Sequence, residues 1–400
     1  MTGGARGADN RDMVNARAAW RSTARALIAL AAACGGPDEH REGLDSGDAP
    51  VGDALPFDAR LADTSWIDAT PPLLEVVDLG VGTGTPTALA IDATHVFWTD
   101  GATIYRKALD GTGARLAIAT HALPAGNTGP AIGELDVDAT YVYFLANGTQ
   151  PASGGAPPQL MRRPKDGSGV SEVLLAMPGG ADAQLASLRA RATGDIYVSA
   201  RQPHAGGVYR VRAGSPAPTT PLPATTAGGI DAPGYVGRVA ISGTTLITTG
   251  FEEAPTGEPG IIACELPACA ARAAIASYAD AGGDGLAPPT PRLAADATQA
   301  YWTAGASLAS ARLIGGGDAL VLTTVPGAAL GDLVVDDGAA TVWFAVTGPD
   351  GAIRKAWKGL ERQAPIAVAE HQQSPLGLRM DATHLYWAEG GSKTIWRIGR

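Results

Sequence analysis

The sequence LAIDATHVFWTDGATIYRKALDGTG, residues 89–113, contains the pattern that decides the fold. A short apolar segment ends at an Asp-rich turn, a second segment carries the adjacent aromatics Phe97 and Trp98, and a third leads to an Asp-Gly turn at residues 110–111. Adjacent residues of a strand point to opposite faces, so an aromatic pair requires a sheet that is covered on both faces. The pattern therefore predicts a small antiparallel sheet packed between two neighbours.

The same pattern recurs along the chain, in seven units whose starting points are 40 to 54 residues apart. Aligned on the segment before the aromatics, the units begin at Leu89, Leu135, Arg189, Val239, Leu293, Leu333 and Leu378. That period is typical of four-stranded propeller blades, so the sequence predicts an all-β, seven-bladed β-propeller over residues 73–400. The fourth unit has Ile247 and Thr248 where aromatics are expected, which leaves a six-bladed ring as the alternative.

The two ends of the repeat region complement each other. The seventh unit stops after its third strand, and the apolar run LLEVVDL at residues 73–79 precedes the first unit with no other role. We expect this N-terminal strand to complete the last blade, because closure removes the open sheet edge at the junction of the ring.

Residues 97–100 (FWTD), 301–303 (YWT) and 386–387 (YW) resemble the YWTD class of propeller repeats, with kinship to NHL and TolB-like propellers. The resemblance spans residues 73–400 and implies the fold. YWTD rings usually have six blades, whereas this chain has seven units. Family functions range from receptor ectodomains to periplasmic scaffolds and a few lyases, so the resemblance leaves the function open.

The N-terminal segment has the features of an export signal. Residues 13–34 read MVNARAAWRSTARALIALAAAC, with three arginines before a short apolar stretch and small residues before Cys34. This resembles a bacterial lipoprotein signal, which implies that residues 1–34 are a signal peptide cleaved on the N-terminal side of Cys34, that Cys34 is acylated, and that the protein is lipid-anchored in the cell envelope. Two alternatives stay open. The residues AAA at 31–33 also fit cleavage to a soluble periplasmic or secreted protein, and the segment also fits a cytoplasmic amphipathic extension.

Residues 35–72 contain nine acidic and two basic side chains among many Gly and Pro, and so carry most of the net charge of −10. Such a segment buries too little apolar surface to offset its ordering entropy, which predicts a disordered tether. The whole chain has 53 Gly and 29 Pro, which disfavours long helical bundles, and no run of 18 apolar residues. Its negative charge argues against a nucleic-acid partner. Because no apolar run is long enough to span a membrane, we expect membrane contact only through the N-terminal anchor.

Few residues point to chemistry. The six histidines form no HExxH or HxxxH spacing and no GxSxG motif occurs, so the sequence predicts no catalytic residue, no metal and no cofactor. Cys264 and Cys269 flank the expected turn between the third and fourth strands of the fourth unit. Residues facing across such a turn are within disulfide reach, which favours a disulfide over free thiols or a zinc site.

A ligand site is expected at the mouth of the central channel, where the first strand of every blade begins. The column of residues there reads Ala88, Glu134, Leu188, Arg238, Arg292, Asp332 and Gly377. Its four charged members, Glu134, Arg238, Arg292 and Asp332, are the candidate ligand-binding residues; in the alternative interpretation they pair with each other and with channel water. Three long loops open on the same face, at residues 148–159, 201–207 and 251–260, and insertions on one face often mark a binding side.

These features favour a binding or scaffold module for a protein or saccharide partner in the cell envelope. A propeller-type lyase or hydrolase with its active site at the channel mouth is the alternative. Acid–base chemistry needs a His or carboxylate poised near the substrate, and the column contains no His. A purely structural envelope protein is the third possibility.

Overall fold

The computed structural model describes a large part of the repeat region. The described residues are 74–77, 84–151, 154–177, 183–201, 207–215, 222, 237–251, 259–267, 269, 272–277, 291–315 and 317–400. The predicted signal peptide with Cys34 and the predicted tether lie outside these ranges, so they stay predictions. Within them, no helix has the length and apolar character needed to cross a bilayer.

Seven antiparallel sheets form the seven blades of a β-propeller, which confirms the predicted fold and excludes the six-bladed ring. Blades are numbered in chain order, and strands are numbered along the chain. The innermost strands are β2 (Pro86–Ile91), β6 (Ile132–Val137), β11 (Ala183–Ala190), β14 (Val239–Ser242), β18 (Leu293–Ala295), β22 (Ala329–Asp336) and β26 (Pro375–Met380). The second strands are β3 (His95–Asp100), β7 (Tyr141–Ala146), β12 (Asp195–Arg201), β15 (Thr245–Phe251), β19 (Gln299–Ala304), β23 (Thr341–Thr347) and β27 (His384–Glu389).

The outer half of each blade follows the same order. The third strands are β4 (Thr103–Ala108), β9 (Gln159–Pro164), β13 (Gly207–Arg212), β16 (Pro259–Glu265), β20 (Ser307–Arg312), β24 (Gly351–Trp357) and β28 (Thr394–Gly399). The outermost strands are β5 (Leu116–Thr120), β10 (Glu172–Ala176), β17 (Arg272–Ser277), β21 (Leu320–Thr324), β25 (Ile366–Gln372) and β1 (Glu75–Val77). In blade 3 the outermost position is marked by a single bridge between Val208 and Leu222, and the short β8 (Thr149–Gln150) pairs with β11.

The N-terminal strand closes the ring as predicted. Strand β1 pairs antiparallel with β28, so that Glu75 lies opposite Arg397 and Val77 opposite Ile395. Val77 is buried, and the Arg397 guanidinium binds the Glu75 carboxylate at 2.6 Å. The last blade is thus built from both ends of the repeat region.

The core lies between the blades. Seven clusters of buried apolar residues occur in the described part of the chain, and each contains residues of two neighbouring blades. Phe97 packs with Phe144 of blade 2, while its neighbour Trp98 packs with Tyr386 of blade 7. Adjacent aromatics therefore serve opposite interfaces, as the period of two requires. Both Phe97 and Trp98 are fully buried, as are the aromatic pairs of blades 5 and 7.

Blade 4, which lacks the aromatic pair, carries the cysteine pair instead. The Cα atoms of Cys264 and Cys269 are 5.0 Å apart across the turn between β16 and β17, within the range of a disulfide. Both cysteines are buried against Tyr197 of blade 3, together with Leu246. The predicted disulfide is thus supported, and it lies at the interface where blade 4 supplies only aliphatic side chains.

Candidate functional site

The innermost strands are irregular where they begin. A β-bulge interrupts the pairing of the first and second strands in blades 1, 2, 3, 6 and 7, at or just before the buried apolar residue of the innermost strand. A bulge adds a residue on one strand and turns side chains away from the regular alternation. Residues at or beside these bulges, such as Glu134 and Asp332, line the central cavity rather than the interface between blades.

Every blade contributes to that cavity, which has a volume of about 320 Å³. All four candidate residues, Glu134, Arg238, Arg292 and Asp332, line it, as do Ala88 and Gly377 of the same column. Two further arginines that the sequence analysis missed, Arg189 and Arg379, also line it.

Glu134 is the centre of one ion-pair group. Its Oε1 accepts a hydrogen bond from Arg189 Nη1 at 2.6 Å, and its Oε2 accepts one from Arg238 Nη1 at 2.8 Å. Burial opposes ionisation of this carboxyl, but the two guanidinium charges outweigh it and hold the pKa of Glu134 below its ordinary value. Glu134 is therefore a carboxylate at neutral pH, and it satisfies two arginines at once.

Asp332 is the centre of the second group. Its Oδ1 lies 3.0 Å from Arg292 Nε, and the Gly377 N–H donates to its Oδ2 at 2.5 Å. Burial raises the pKa of Asp332, but the charges of Arg292 and Arg238 outweigh that effect and lower it. Gly377 has a φ of +67°, and a Cβ there would lie 2.7 Å from Leu89 Cβ. Only glycine lets the backbone N–H approach the Asp332 carboxylate in this way.

A second set of charged residues comes directly after the buried apolar residue of the innermost strand, in blades 2, 3 and 7. They are Asp136, Arg189 and Arg379. Asp136 accepts a hydrogen bond from the Ala190 N–H at 2.8 Å, and burial raises the pKa of Asp136 despite the nearby Arg189. Arg379 donates from Nη1 to the Leu378 carbonyl at 2.8 Å. In the part of the chain that the structure describes, no carboxylate lies within 4.0 Å of the Arg379 guanidinium. Burial and then repulsion by Arg189 lower the pKa of Arg379.

The cavity lining therefore carries four guanidinium groups against two carboxylates. The lining has a surplus of two positive charges in a chain whose net charge is −10. The interpretation that the charges pair with each other accounts for Glu134, Asp332 and three arginines. Arg379 is left over.

The sequence alignment was wrong at one member of the column. Leu188 pairs with Val198 and is fully buried between blades 2 and 3, so it does not line the cavity. The position equivalent to Glu134 is Ser187, whose Oγ accepts a hydrogen bond from the Val239 N–H at 3.3 Å. The alignment of this weak unit was displaced by one residue, and a slip of one exchanges the faces of a strand.

The loop at residues 148–159 borders the cavity and is ordered by two asparagines that precede it, apart from residues 152–153, which lie outside the described part. Asn127 donates from Nδ2 to the carbonyls of Asn147 and Ala156, and Asn147 donates to the Pro157 carbonyl. Strand β8 within this loop pairs with the start of β11, which joins blade 2 to blade 3. Most of the other two long loops, at 202–206 and 252–258, lies outside the described residues.

Other chemistry-bearing residues lie elsewhere. His95 and His384 are the first residues of β3 and β27, directly after the turns at the opposite end of the innermost strands, and each bonds the preceding Thr hydroxyl. Among the described residues, no three His, Cys, Asp or Glu side chains are grouped so that they could hold a metal ion.

Comparison with known proteins gives the fold class. No family model matches the chain, and no curated protein sequence matches it. Three examples show the resemblance of this chain to solved structures over most of its length. Virginiamycin B lyase from Staphylococcus aureus is 14% identical, with a TM-score of 0.54 over 82% of this chain and 99% of the lyase. A chain of the mitotic checkpoint complex is 11% identical, with a TM-score of 0.55 over 90% of this chain and 99% of that one.

The third is YCF48 bound to the D1 peptide, which is 13% identical, with a TM-score of 0.51 over 84% of this chain and 98% of that one. At such identities the likeness shows the fold alone. Propellers of this kind include both peptide or protein binders and a lyase, so both roles are compatible with the fold.

Proposed function

We propose that this protein is an exported, lipid-anchored β-propeller, akin to the YWTD, NHL and TolB-like propellers, that binds a protein partner in the cell envelope through the mouth of its central cavity. The observation that carries the proposal is the cavity itself, to which all seven blades contribute and whose lining holds six charged side chains. A concave site with convergent polar groups is the usual form of a binding site.

Binding is favoured over catalysis by the state of the cavity's titratable groups. Glu134 and Asp332 are both held ionised by arginines, so neither is poised to exchange a proton near neutral pH. The cavity lining, as far as the structure describes it, contains no histidine. A lyase reaction would need such a group.

A protein partner is favoured over a saccharide because the lining is ionic. Arginines and carboxylates recognise charged groups and steer their approach, whereas an uncharged sugar would leave these charges desolvated and unpaired. The bound peptide of YCF48 and the assembly that contains the checkpoint propeller offer precedents for this use of the fold.

The test is crosslinking in intact cells that express the full chain, followed by identification of the captured proteins. We expect Glu134→Gln combined with Arg292→Gln to lose the partner. The matched control is Arg312→Gln, which removes one charge at the exposed end of β20. Capture of the same proteins by the double variant, with its thermal unfolding unchanged, would show that the mouth is not the binding surface.

Export and anchoring have a separate test. We expect Cys34→Ser to abolish incorporation of radiolabelled fatty acid and to release the protein from the membrane fraction. Unchanged incorporation would exclude lipidation at Cys34 and leave the soluble alternative.

A further inference from the structure

We infer that the central cavity takes an anionic oxygen group, the carboxylate of an acidic side chain on the partner, and that Arg379 is the residue that binds it. The inference rests on the proposed binding function and names the chemistry of the group that enters the cavity.

The charges of the cavity lining do not balance. Glu134 neutralises one of its two arginines, Asp332 neutralises Arg292, and two positive charges of the lining remain. Asp136, behind the lining, offsets one of them only when it is ionised, and burial disfavours that form. Buried charge without a partner is costly, and an entering anion removes that cost.

The geometry of Arg379 suits a carboxylate. A guanidinium has five N–H donors in a planar fork that matches the two oxygens of a carboxylate. Arg379 uses one nitrogen on the Leu378 carbonyl and contacts no carboxylate of the described residues, although it lines the cavity. Arg238 adds to this, because its Nε is buried without a hydrogen-bond partner in the described structure. Donors in excess of acceptors are what an oxyanion site requires.

The size and lining of the cavity suit an acidic side chain. Its volume of about 320 Å³ is near the lower limit for ligand pockets, which suits one side chain better than a folded segment. Leu145, Leu185 and Leu376 also line it, alongside the charged groups. An acidic side chain has the matching form, with apolar methylenes behind a charged end.

The experiment is calorimetric titration of the full chain with glutarate as a dicarboxylate probe, inorganic phosphate as a second anion and glutaramide as an uncharged control. We expect saturable glutarate binding that weakens with added salt, and no binding of glutaramide. Arg379→Gln removes a charge-assisted hydrogen-bond donor, so we expect it to weaken glutarate at least about tenfold. Arg379→Lys keeps the charge without the fork and should lie between the two.

Arg312→Gln is the matched control, since it removes the same charge from an exposed position, and it should bind glutarate as the unaltered protein does. Thermal unfolding of each variant with and without glutarate shows whether a lost signal reflects lost folding. No glutarate binding at millimolar concentration, or equal binding by Arg379→Gln, overturns the inference. Binding of phosphate alone supports an oxyanion site and overturns the carboxylate as its source.

Failure of the inference is distinguishable from failure of the proposed function. If Arg379→Gln captures the envelope partner in intact cells while glutarate does not bind, the mouth binds its partner without an anionic group. If glutarate binds but no partner depends on Glu134 and Arg292, the cavity is an anion site of another kind.

Discussion

The charged side chains at the two ends of the innermost strands differ in how fully they are paired. At the end where β18 turns into β19, Asp296 accepts hydrogen bonds from the N–H groups of Thr298 and Gln299, from Tyr301 OH at 2.7 Å and from Lys358 Nζ of the next blade at 2.9 Å. At the mouth end, Arg379 has one backbone carbonyl and no carboxylate among the described residues.

The turn end is also periodic, whereas the mouth end is not. An Asp occupies the position of Asp296 in four more blades. In two of these blades, as at Asp296, a basic side chain of the following blade contacts the Asp carboxylate. These two pairs are Lys165 with Asp92 and Arg400 with Asp336. Repeated and fully satisfied charges stabilise the ring. Irregular charges with a surplus of one sign are expected at a functional site, and here they support the proposed binding role.

The largest effect is expected at the turn end, for Asp296→Ala. The change leaves two turn N–H groups, the buried Tyr301 hydroxyl and Lys358 without their common acceptor, so we expect a loss of about 3–5 kcal/mol in the free energy of unfolding. Urea denaturation measures it. Asp337→Ala is the control, because Asp337 binds the same Lys358 but is 74% exposed, and it should cost less than about 1 kcal/mol. Equal losses for the two variants would refute the claim that the Asp296 carboxylate holds its turn, Tyr301 and Lys358 together.

The next effect concerns blade 4, which has Ser-Gly-Thr at residues 242–244 in place of the Asp turn and has the cysteine pair at the same end. Replacing both Cys264 and Cys269 by Ser opens a short loop, which should lower the free energy of unfolding by about 2 kcal/mol. Denaturation with and without reductant provides the check. A reductant effect on the unaltered protein that the double variant lacks is expected, and identical behaviour of the two would mean that the disulfide does not form.

Acid should weaken the turn end through Asp296. Burial is outweighed by hydrogen bonds and by Lys358, so the pKa of Asp296 is held below its ordinary value of 3.8. A carboxyl whose pKa is depressed by folding stabilises the protein fully above its unfolded pKa and loses that contribution as pH falls through the folded value. We expect the free energy of unfolding to fall below about pH 4, by at most about 1.4 kcal/mol per pH unit for each such group. Asp296→Asn should reduce the dependence of the free energy of unfolding on pH. An unchanged dependence would argue against the ion pair of Asp296 and Lys358.

The smallest effect, of opposite sign, is expected at the mouth. Arg379→Leu removes a half-buried charge without a carboxylate partner, so we expect the free energy of unfolding to rise by about 1 kcal/mol while glutarate binding is lost. Thermal and urea unfolding of the variant test this against Arg312→Leu, which should change stability by less than about 0.5 kcal/mol. A clear loss of stability would mean that Arg379 supports the fold.

Sequence reasoning found the fold because the aromatic pairs and Asp turns are local signals that recur. It also brought Glu134 and Arg292 into one column, since both lie at one repeat position. It missed Arg189 and Arg379. Each lies two residues after the column position of its strand, where blade 1 has the buried Ala90. The signal was present, because Arg189 and Arg379 stand, with Asp136, in a column whose other four members are small or apolar.

The part that could not be predicted depends on the bulges. Strict alternation assigns each residue of a strand to one face, and a bulge breaks that rule without a sequence signature of its own. In blade 3 the register was misassigned by one residue, so Leu188 was taken for a cavity residue. The pairing of Arg189 with Glu134 of the preceding blade depends on tertiary structure and not on local pattern.

The closing strand sets the order in which the ring can form. Strand β1 pairs with β28, so the ion pair of Glu75 and Arg397 joins residues 322 positions apart in the chain. During synthesis the other blades can be completed soon after their own residues emerge, but the last blade must wait for residues 394–399. Until then the residues of β1 have no sheet to join. Contacts of such separation form slowly, so ring closure should be the last and slowest step of folding.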